Sequence, residues 1–234
     1  MARAAESNYS SRLRQVARQI DAIVRGLSPD GVVEDDKIIR ALTGYADLLA
    51  PWAESVARYM VADVSRRNAR SWKNTGEDMS RAMRVELEQA PTGSIFSALM
   101  QEQVTLIKSL PLEAAMRVHN LTMEAKLGGK RADVVAAEIL KTGHVTASRA
   151  RLIARTEVSR TASNFTRARA QFVGSEGYIW RTSGDSDVRS THRAMNGKYV
   201  PWNDPPKTDP GLDPYHAGCG PNCRCFPEPV LPDL

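Results

Sequence analysis

The sequence predicts an α+β protein, with a mainly helical N-terminal region followed by a small α+β C-terminal module that has short strands and a Pro-rich tail. Apolar residues recur every three or four positions through the first 145 residues, which is the period of an amphipathic helix. Aromatic and β-branched residues cluster around Trp180, and most of the 13 prolines lie from Pro201 onward. We therefore predict two domains, residues 1–145 and residues 146–234.

Each helix of the N-terminal region is predicted from an apolar face and from the residues that stop it. The first face consists of Leu13, Val16, Ile20, Ile23 and Leu27. Further helices are predicted from Ile38 to Leu49, Trp52 to Val64, Glu77 to Gln89, Ile95 to Ile107, Leu112 to Lys126 and Ala132 to Lys141. Proline and glycine interrupt helices, so the predicted breaks are Pro51, Pro111, Gly128-Gly129 and Gly143.

A longer helix is predicted to begin at Thr146. Its buried seam is Ala154, Val158, Thr161, Phe165, Ala168 and Phe172. Around the seam lie Arg149, Arg151, Arg155, Arg160, Arg167 and Arg169, opposed by Glu157. These arginines point to several sides of the helix, so we expect most to be solvated or paired, and a basic DNA-binding helix is the alternative. Glu157 is too close in sequence to Arg155 to share its face, so each is expected to find a partner elsewhere.

The chain changes character after Gly174 and Gly177. Short strands are predicted at Tyr178–Thr182 and Lys198–Val200, with a short helix at Val188–Met195 between them. Beyond Pro201 the prolines allow neither a long helix nor a central strand. This tail must be held by side chains or by a ligand, or it is not held at all.

Histidines and cysteines in and beside the tail suggest a ligand. The candidates are His192, His216, Cys219, Cys223 and Cys225. Three clustered cysteines in a cytoplasmic chain indicate a metal site or free thiols rather than disulfides. Zinc prefers imidazole and thiolate ligands, and a tetrahedral zinc ion would supply the missing cross-link. Five candidates compete for four positions, and the alternative is a set of reduced cysteines that pack in a core.

Asp185, Asp187, Arg189 and His192 form a second polar group. Aspartate and histidine this close in sequence can serve as the acid–base groups of a nuclease. An aspartate-rich turn before a helix is more often a cap, with Asp187 accepting backbone N–H bonds and Arg189 bridging locally. We therefore keep a nuclease built on Asp187, Arg189 and His192 as the alternative to a structural role.

The composition argues against a membrane protein. There is no run of about 18 apolar residues, and the first residues lack the apolar segment of a secretory signal. The net charge of +5 is compatible with contact to a polyanion, but the excess is small and both signs are interspersed. We expect a protein that is made in, and stays in, a cytoplasm.

Several short motifs follow one another in a characteristic order. They are Ala154-Arg155-Thr156-Glu157, Trp180-Arg181-Thr182, Asp187-Val188-Arg189, His192, Asn196-Gly197-Lys198 and Asn222-Cys223-Arg224-Cys225. This series resembles the Mu F-like minor head proteins, also called the phage head-morphogenesis family. The resemblance covers residues 100–226 and is sharpest from residue 154 onward. It marks Arg155, Glu157, Trp180, Asp187 and Arg189 as positions of the family's structural motif.

The resemblance implies a minor capsid protein rather than an enzyme. Such a protein is present in a few copies per procapsid, at the portal vertex, with the portal and other head proteins as partners. Some relatives are implicated in DNA packaging or delivery, which makes DNA a further candidate partner. The expected location is the virion, and the host cytoplasm during assembly.

The resemblance also bears on the choice of metal ligands. Many relatives carry a Cys-x-x-Cys pair, whose two positions are Arg189 and His192 in this chain. Relatives end in His-Pro-Asn-Cys-Arg-Cys, where this chain has Gly220-Pro221 in place of His-Pro. Ligand-type residues are thus retained in part. We predict a structural zinc site whose ligands are His192, Cys219, Cys223 and Cys225, with His216 as the reserve.

Overall fold

The computed structural model describes residues 2–29, 32–75, 90–128 and 131–232. The helix predicted from Glu77 to Gln89 lies outside these ranges. The described helices are α1 (Ala2–Gly26), α2 (Asp35–Leu48), α3 (Ala50–Thr75), α4 (Gly93–Gly128), α5 (Ala132–Leu140), α6 (Thr142–Phe172) and α7 (Ser190–Arg193). The described strands are β1 (Gly177–Arg181), β2 (Tyr199–Pro201) and β3 (Phe226–Val230). The predicted α+β class is confirmed. In the part of the chain that the structure describes, no helix has the length and apolarity to span a membrane.

The chain divides into two compact units, each built from separate stretches of sequence. The helical unit consists of Ser7–Arg58 and Gln101–Ala154. The sheet-containing unit consists of Met1–Glu6, Tyr59–Met100 and Arg155–Leu234. The division predicted between residues 145 and 146 follows the sequence pattern rather than these contacts, and it stays a prediction.

The helical unit is held together by the apolar faces that the helical period predicts. Its fully buried side chains include Leu13, Ile20, Ile38, Leu42, Ile107, Leu110 and Ile139. One buried polar pair crosses this core, where the Tyr9 hydroxyl donates to Gln103 Oε1 at 3.0 Å. Burial of aliphatic side chains is therefore the main source of stability in this unit.

One predicted helix break is wrong, and another lies two residues from its predicted position. Pro111 lies inside the continuous helix α4, where Leu110 before it and Ala114 after it are buried and hold the helix across the missing hydrogen bond. The break predicted at Gly143 occurs at Lys141, between α5 and α6, and Gly143 itself lies in the first turn of α6. A Cβ atom there would overlap the Cβ atom of Asp21, so this glycine permits close packing of two helices. The predicted stop at Gly128 is confirmed.

The seam predicted for α6 is right in its first part only. Ala154, Val158, Thr161 and Phe165 are buried. Phe172 is 44% exposed, whereas Arg169 is buried. The Arg169 guanidinium donates to Asn68 and lies over the Phe165 ring, 5.6 Å from its centroid. A long cation that finds these partners can occupy a core-facing position, which hydrophobic periodicity does not anticipate.

The sheet has the order β2-β1-β3, and both pairings are antiparallel. Strand β3 pairs through Phe226 opposite Arg181, Pro227 opposite Trp180 and Pro229 opposite Tyr178. The backbone of Trp180 bonds to the β2 side, so Pro227 and Pro229 turn their nitrogen atoms to the outer edge of β3. A proline-containing strand fits only at such an edge. Strand β3 was not predicted, but the prediction that the Pro-rich tail forms no central strand is confirmed.

An aromatic core joins the sheet to the ends of α3 and α6. Its buried residues are Trp72, Ala170, Val173, Tyr178, Trp180, Val200, Trp202, Ala217, Cys223 and Cys225. The rings of Tyr178 and Trp202 are tilted against each other with centroids 4.5 Å apart. Two of the three cysteines therefore belong to a packed core, which positions them for the centre described next.

Candidate metal centre

His192, Cys223 and Cys225 come together in the sheet-containing unit, and we call these three residues the metal group. The ligand atoms of the three side chains lie within 4.8 Å of one another, and all three residues are buried. His192 Nδ1 is 3.5 Å from the sulfur of Cys223 and 3.5 Å from that of Cys225. His192 comes from α7 and the cysteines from the turn before β3, so the group connects two separate stretches of chain.

The spacing of these atoms fits a tetrahedral zinc ion. Zinc–sulfur and zinc–nitrogen bonds of about 2.3 and 2.05 Å at a tetrahedral angle place sulfur and nitrogen about 3.6 Å apart. The two observed separations of 3.5 Å agree with that value. Thiolate and imidazole are also the donor types that zinc prefers. The residues present therefore fit the metal that the resemblance implies.

A hydrogen-bonded chain orients the His192 ring. The Tyr215 hydroxyl donates to Asp209 Oδ2 at 2.7 Å, so its oxygen accepts the Nε2 proton of His192 at 2.9 Å. This network assigns the ring proton to Nε2 and leaves the lone pair of Nδ1 facing the two sulfur atoms. Metal-binding histidines are held in the same way, by a carboxylate or another acceptor on the far ring nitrogen.

Asp209 is itself firmly held. Thr191 Oγ1 donates to Asp209 Oδ1 at 3.0 Å, and Arg189 donates to Oδ2 at 2.6 Å. Burial alone would raise the pKa of Asp209, but the hydrogen bonds from Tyr215 and Thr191 and the charge of Arg189 lower it. For Tyr215, burial and the Asp209 carboxylate raise the pKa to about 12. The chain behind His192 thus consists of a carboxylate and a protonated phenol.

The two cysteines behave as a coupled pair. A hydrogen bond from Cys225, opposed by burial, lowers the pKa of the Cys223 thiol, while the same bond and burial raise that of Cys225. The backbone N–H of Cys225 also donates to Cys223 Sγ at 3.4 Å. The environment therefore favours one thiolate in the absence of a metal, and which sulfur carries the charge is a property of the pair.

Three side chains fix the turn that presents the cysteines. Arg155 Nη1 donates to Asn222 Oδ1 at 3.0 Å, and the Asn222 N–H donates to Thr156 Oγ1 at 2.8 Å. Arg189 Nη2 donates to the Pro221 carbonyl at 2.6 Å. Asn222 has a φ of 57°, a left-handed conformation that asparagine tolerates better than most residues. The Arg155-Thr156 and Asn222-Cys223 motifs thus contact each other through these hydrogen bonds.

The other two candidate ligands lie outside the group. Among the described residues the group has three members, and Cys219 is not one of them, so its role as a ligand stays a prediction. Cys219 is half-buried beside Ser163, and burial raises the pKa of its thiol. His216, the reserve, has both ring nitrogens engaged, by Tyr178 at 3.2 Å and by Arg167 at 3.3 Å. Burial and the Arg167 charge lower its pKa to about 4, so it is a neutral core histidine.

The predicted cap at Asp187 is wrong. The residue that precedes α7 is Arg189, without a side-chain cap. Asp187 is exposed and pairs with Arg224 at 3.1 Å, and its N–H donates to Asp185 Oδ1. Arg189 reaches across the loop to Asp209 rather than bridging locally. Long-range acceptors compete with capping wherever the tail folds back on the loop, and sequence spacing does not show that.

The nuclease candidates line one small cleft. Asp187, Arg189 and His192 border a cavity of about 110 Å³, together with Cys223 and Cys225. However, His192 has both ring nitrogens engaged, one by Tyr215 and one by the two sulfur atoms. A general base needs a nitrogen that is free to take a proton from the substrate. The arrangement therefore favours ligation by His192 over catalysis.

The arginines of α6 are engaged by nearby groups. Arg155 pairs with Glu6 at 3.1 Å, which confirms the prediction that its partner lies elsewhere in the sequence. Arg160 pairs with Glu157 at 3.2 Å, one turn away on the same helix. Arg149 pairs with Glu113 at 3.0 Å. These pairs agree with the expectation that the helix carries no continuous basic stripe.

Tyr215 and Asp209 orient the His192 ring, and neither was predicted from the sequence. Both lie in the Pro-rich stretch that precedes the cysteines, and neither has a distinctive spacing from His192. The only available signal was their position between the two predicted ligand stretches, because a histidine ligand needs an acceptor on its second nitrogen.

Comparison with known proteins identifies the module. Residues 116–227 match the family model described as phage Mu protein F like protein. This part of the chain is similar to that family. The Mu F-like module, as we call residues 116–227, contains all three members of the metal group and both sides of the Arg155–Asn222 contact. The predicted resemblance is therefore confirmed for this part of the chain.

One relative is similar to more than half of the chain. An uncharacterized protein of Haemophilus influenzae (strain ATCC 51907 / DSM 11121 / KW20 / Rd) is 35% identical over 135 residues. The aligned part is 58% of this chain and 29% of the relative, so the chain matches less than a third of the relative's length. No solved structure matches the chain.

Proposed function

We propose that this protein is a phage head-morphogenesis protein, a minor capsid component that acts at the portal vertex during procapsid assembly or DNA packaging and delivery. The observation that carries the proposal is the match of residues 116–227 to the phage Mu protein F like family. The proposed partners are the portal and other head proteins, with DNA as a further candidate. The proposed location is the virion, and the host cytoplasm during assembly.

Purified heads test this role. The heads of a phage that encodes this chain should contain it in a few copies, detected by quantitative mass spectrometry against the major capsid protein. Deletion of the coding sequence should lower the yield of infectious particles, and the intact chain supplied in trans should restore it. Heads that lack the chain at full infectivity would contradict the proposal.

We further propose that the module holds one structural zinc ion through His192, Cys223 and Cys225, with Cys219 as the fourth ligand. The 3.5 Å separations between His192 Nδ1 and the two sulfur atoms support the first three. A bound zinc ion would cross-link the loop and the tail, which is the chemistry that this site requires. His192, Cys223 and Cys225 would hold the ion, while Tyr215 and Asp209 orient the ring.

Elemental analysis of protein purified without chelator tests the zinc. We expect about one zinc per chain, as in other structural sites. Cys223→Ser should lower this occupancy strongly, whereas Cys219→Ser tests the fourth ligand alone. If Cys219→Ser keeps full occupancy and affinity, the fourth position belongs to another group. A wild-type chain without metal would contradict the centre itself.

A nuclease is the second candidate function, because Asp187, Arg189 and His192 line the same cleft. Incubation of the purified chain with DNA and RNA, with and without added divalent metal, tests it. Cleavage that His192→Ala abolishes in a folded protein would establish this function. We expect no cleavage, since both ring nitrogens of His192 are engaged.

A further inference from the structure

The indole N–H of Trp180 is a buried donor without an ordinary acceptor. Trp180 is fully buried, and its Nε1 atom has no partner at regular hydrogen-bond geometry. A buried donor without a partner costs about 1–3 kcal/mol, so a protein rarely keeps one without a reason. Phenylalanine would fill most of the same space without this cost.

Trp180 lies in the same buried cluster as Cys223 and Cys225, and the Cys225 sulfur is a polar group within reach of its side chain. The same ring packs edge-on against His192, with centroids 5.5 Å apart and planes at 75°. Trp180 is also opposite Pro227 in the β1–β3 pairing, so the register of the sheet holds it beside the end of the cysteine turn. Trp180 therefore contacts two of the three members of the metal group.

Trp202 provides a contrast within the same core. It is 2% exposed and belongs to the same aromatic cluster. Its indole N–H donates to Ser175 Oγ at 3.1 Å, an ordinary hydrogen bond away from the metal group. The two tryptophans thus share burial and packing but differ in what their N–H groups meet.

We propose that the Trp180 indole N–H is a hydrogen-bond donor to the metal-bound sulfur of Cys225, and that it orients this ligand and stabilises its charge. The proposal rests on the metal centre proposed above. A thiolate bound to a metal carries more negative charge than a thiol, so the N–H···S bond strengthens when the metal binds. Hydrogen bonds to metal ligands typically change metal affinity by about 10- to 100-fold. Trp180 is thus a positioning residue of the centre.

The experiment compares Trp180→Phe with the matched control Trp202→Phe in the full chain. Zinc affinity is measured at fixed pH by competition with a chromophoric chelator. Cobalt(II) is then substituted for zinc, and the sulfur-to-cobalt charge-transfer band is recorded. We expect Trp180→Phe to weaken zinc binding by about 10-fold or more and to shift the band, because the sulfur loses its donor. Trp202→Phe should leave both unchanged.

A ring isostere separates the hydrogen bond from packing. β-(3-Benzothienyl)alanine at position 180 keeps the shape of the tryptophan ring and has sulfur in place of the N–H. It should reproduce the loss of zinc affinity and the band shift. If circular dichroism shows that Trp180→Phe does not fold, the isostere variant is the test of the hydrogen bond. Wild-type affinity and an unshifted band in the isostere would overturn the role of Trp180 alone. A wild-type chain that binds no metal would overturn the centre as well.

Discussion

The helical unit and the sheet-containing unit are stabilised in different ways. The first buries aliphatic seams such as Leu13, Ile20 and Leu42, with the Tyr9–Gln103 pair as a buried polar contact. The second orders a Pro-rich tail around aromatic rings, two thiols and the His192–Tyr215–Asp209 chain. Apolar burial is spread over many residues, whereas the tail depends on a few polar groups. The second unit should therefore be far more sensitive to chelators, to acid and to single polar substitutions.

Removal of the proposed zinc ion should have the largest effect and should distinguish the two units. A ligand that binds only the folded state stabilises it by about 4 kcal/mol when its free concentration is about 1,000 times its Kd. We expect a chelator to lower the melting temperature of the wild-type chain, as measured by differential scanning calorimetry. Cys223→Ser should lower it to a similar value and should abolish any further effect of the chelator.

Leu42→Ala is the matched control in the helical unit. Loss of a buried leucine side chain should cost about 2–5 kcal/mol, but the chelator should still lower the melting temperature of this variant. A chelator effect that Leu42→Ala abolishes and Cys223→Ser retains would contradict the distinction between the units.

Acid should weaken the sheet-containing unit through His216. In the unfolded chain this ring takes up a proton below its ordinary pKa of 6.5, whereas burial and Arg167 hold its folded pKa at about 4. The neutral ring makes its full contribution to the free energy of unfolding above pH 6.5. This contribution is lost as the pH falls from about 6.5 to about 4, by up to about 1.4 kcal/mol per pH unit. Urea unfolding of wild type and His216→Gln, with chelator present throughout, should give curves that diverge in this window. Parallel curves would contradict the assignment.

Substitutions of Gly143 and Gly44 test the close helix packing in the helical unit. Gly143→Ala should destabilise the chain by about 1–3 kcal/mol, because the new methyl group would overlap Asp21. Gly44→Ala in α2 is the control, since nothing lies within 4 Å of its added methyl group. It should stabilise the chain by about 0.5–1 kcal/mol. Urea unfolding measures both, and equal effects would refute the close approach at Gly143.

Substitutions of Asn222 should have the smallest effect on stability. They separate the backbone conformation of the turn from the side-chain contact with Arg155. Asn222→Gly and Asn222→Ala both lose the bond from Arg155, but glycine accepts a φ of 57° more readily than alanine. We expect alanine to be less stable than glycine by about 1 kcal/mol. Equal stabilities would mean that the left-handed conformation carries no strain.

The sequence was most informative where one physical rule acts alone. Helical periodicity predicted the buried faces of α1 and α2, and strand propensity predicted β1. The rule failed where packing overrides it, as at Pro111 inside α4. Strand β3 was not predicted, because prolines are compatible with a strand only at the edge of a sheet. The sequence does not show that this segment lies at an edge.

The candidate site was predicted in part for a related reason. Residue chemistry pointed to His192, Cys223 and Cys225, and the structure brings these three together. Tyr215 and Asp209 were not predicted, since their role arises only when the tail folds back onto α7. Ligand type can be inferred from sequence, whereas the residues that orient a ligand depend on long-range contacts.

Zinc X-ray absorption spectroscopy of the protein purified without chelator tests the central claim most directly. If His192 and the tail cysteines hold the ion, the first shell contains sulfur at about 2.3 Å and nitrogen at about 2.0–2.1 Å, and His192→Ala removes the imidazole contribution. A shell of oxygen and nitrogen alone, or a protein without bound metal, would contradict the claim that a metal joins α7 to the tail.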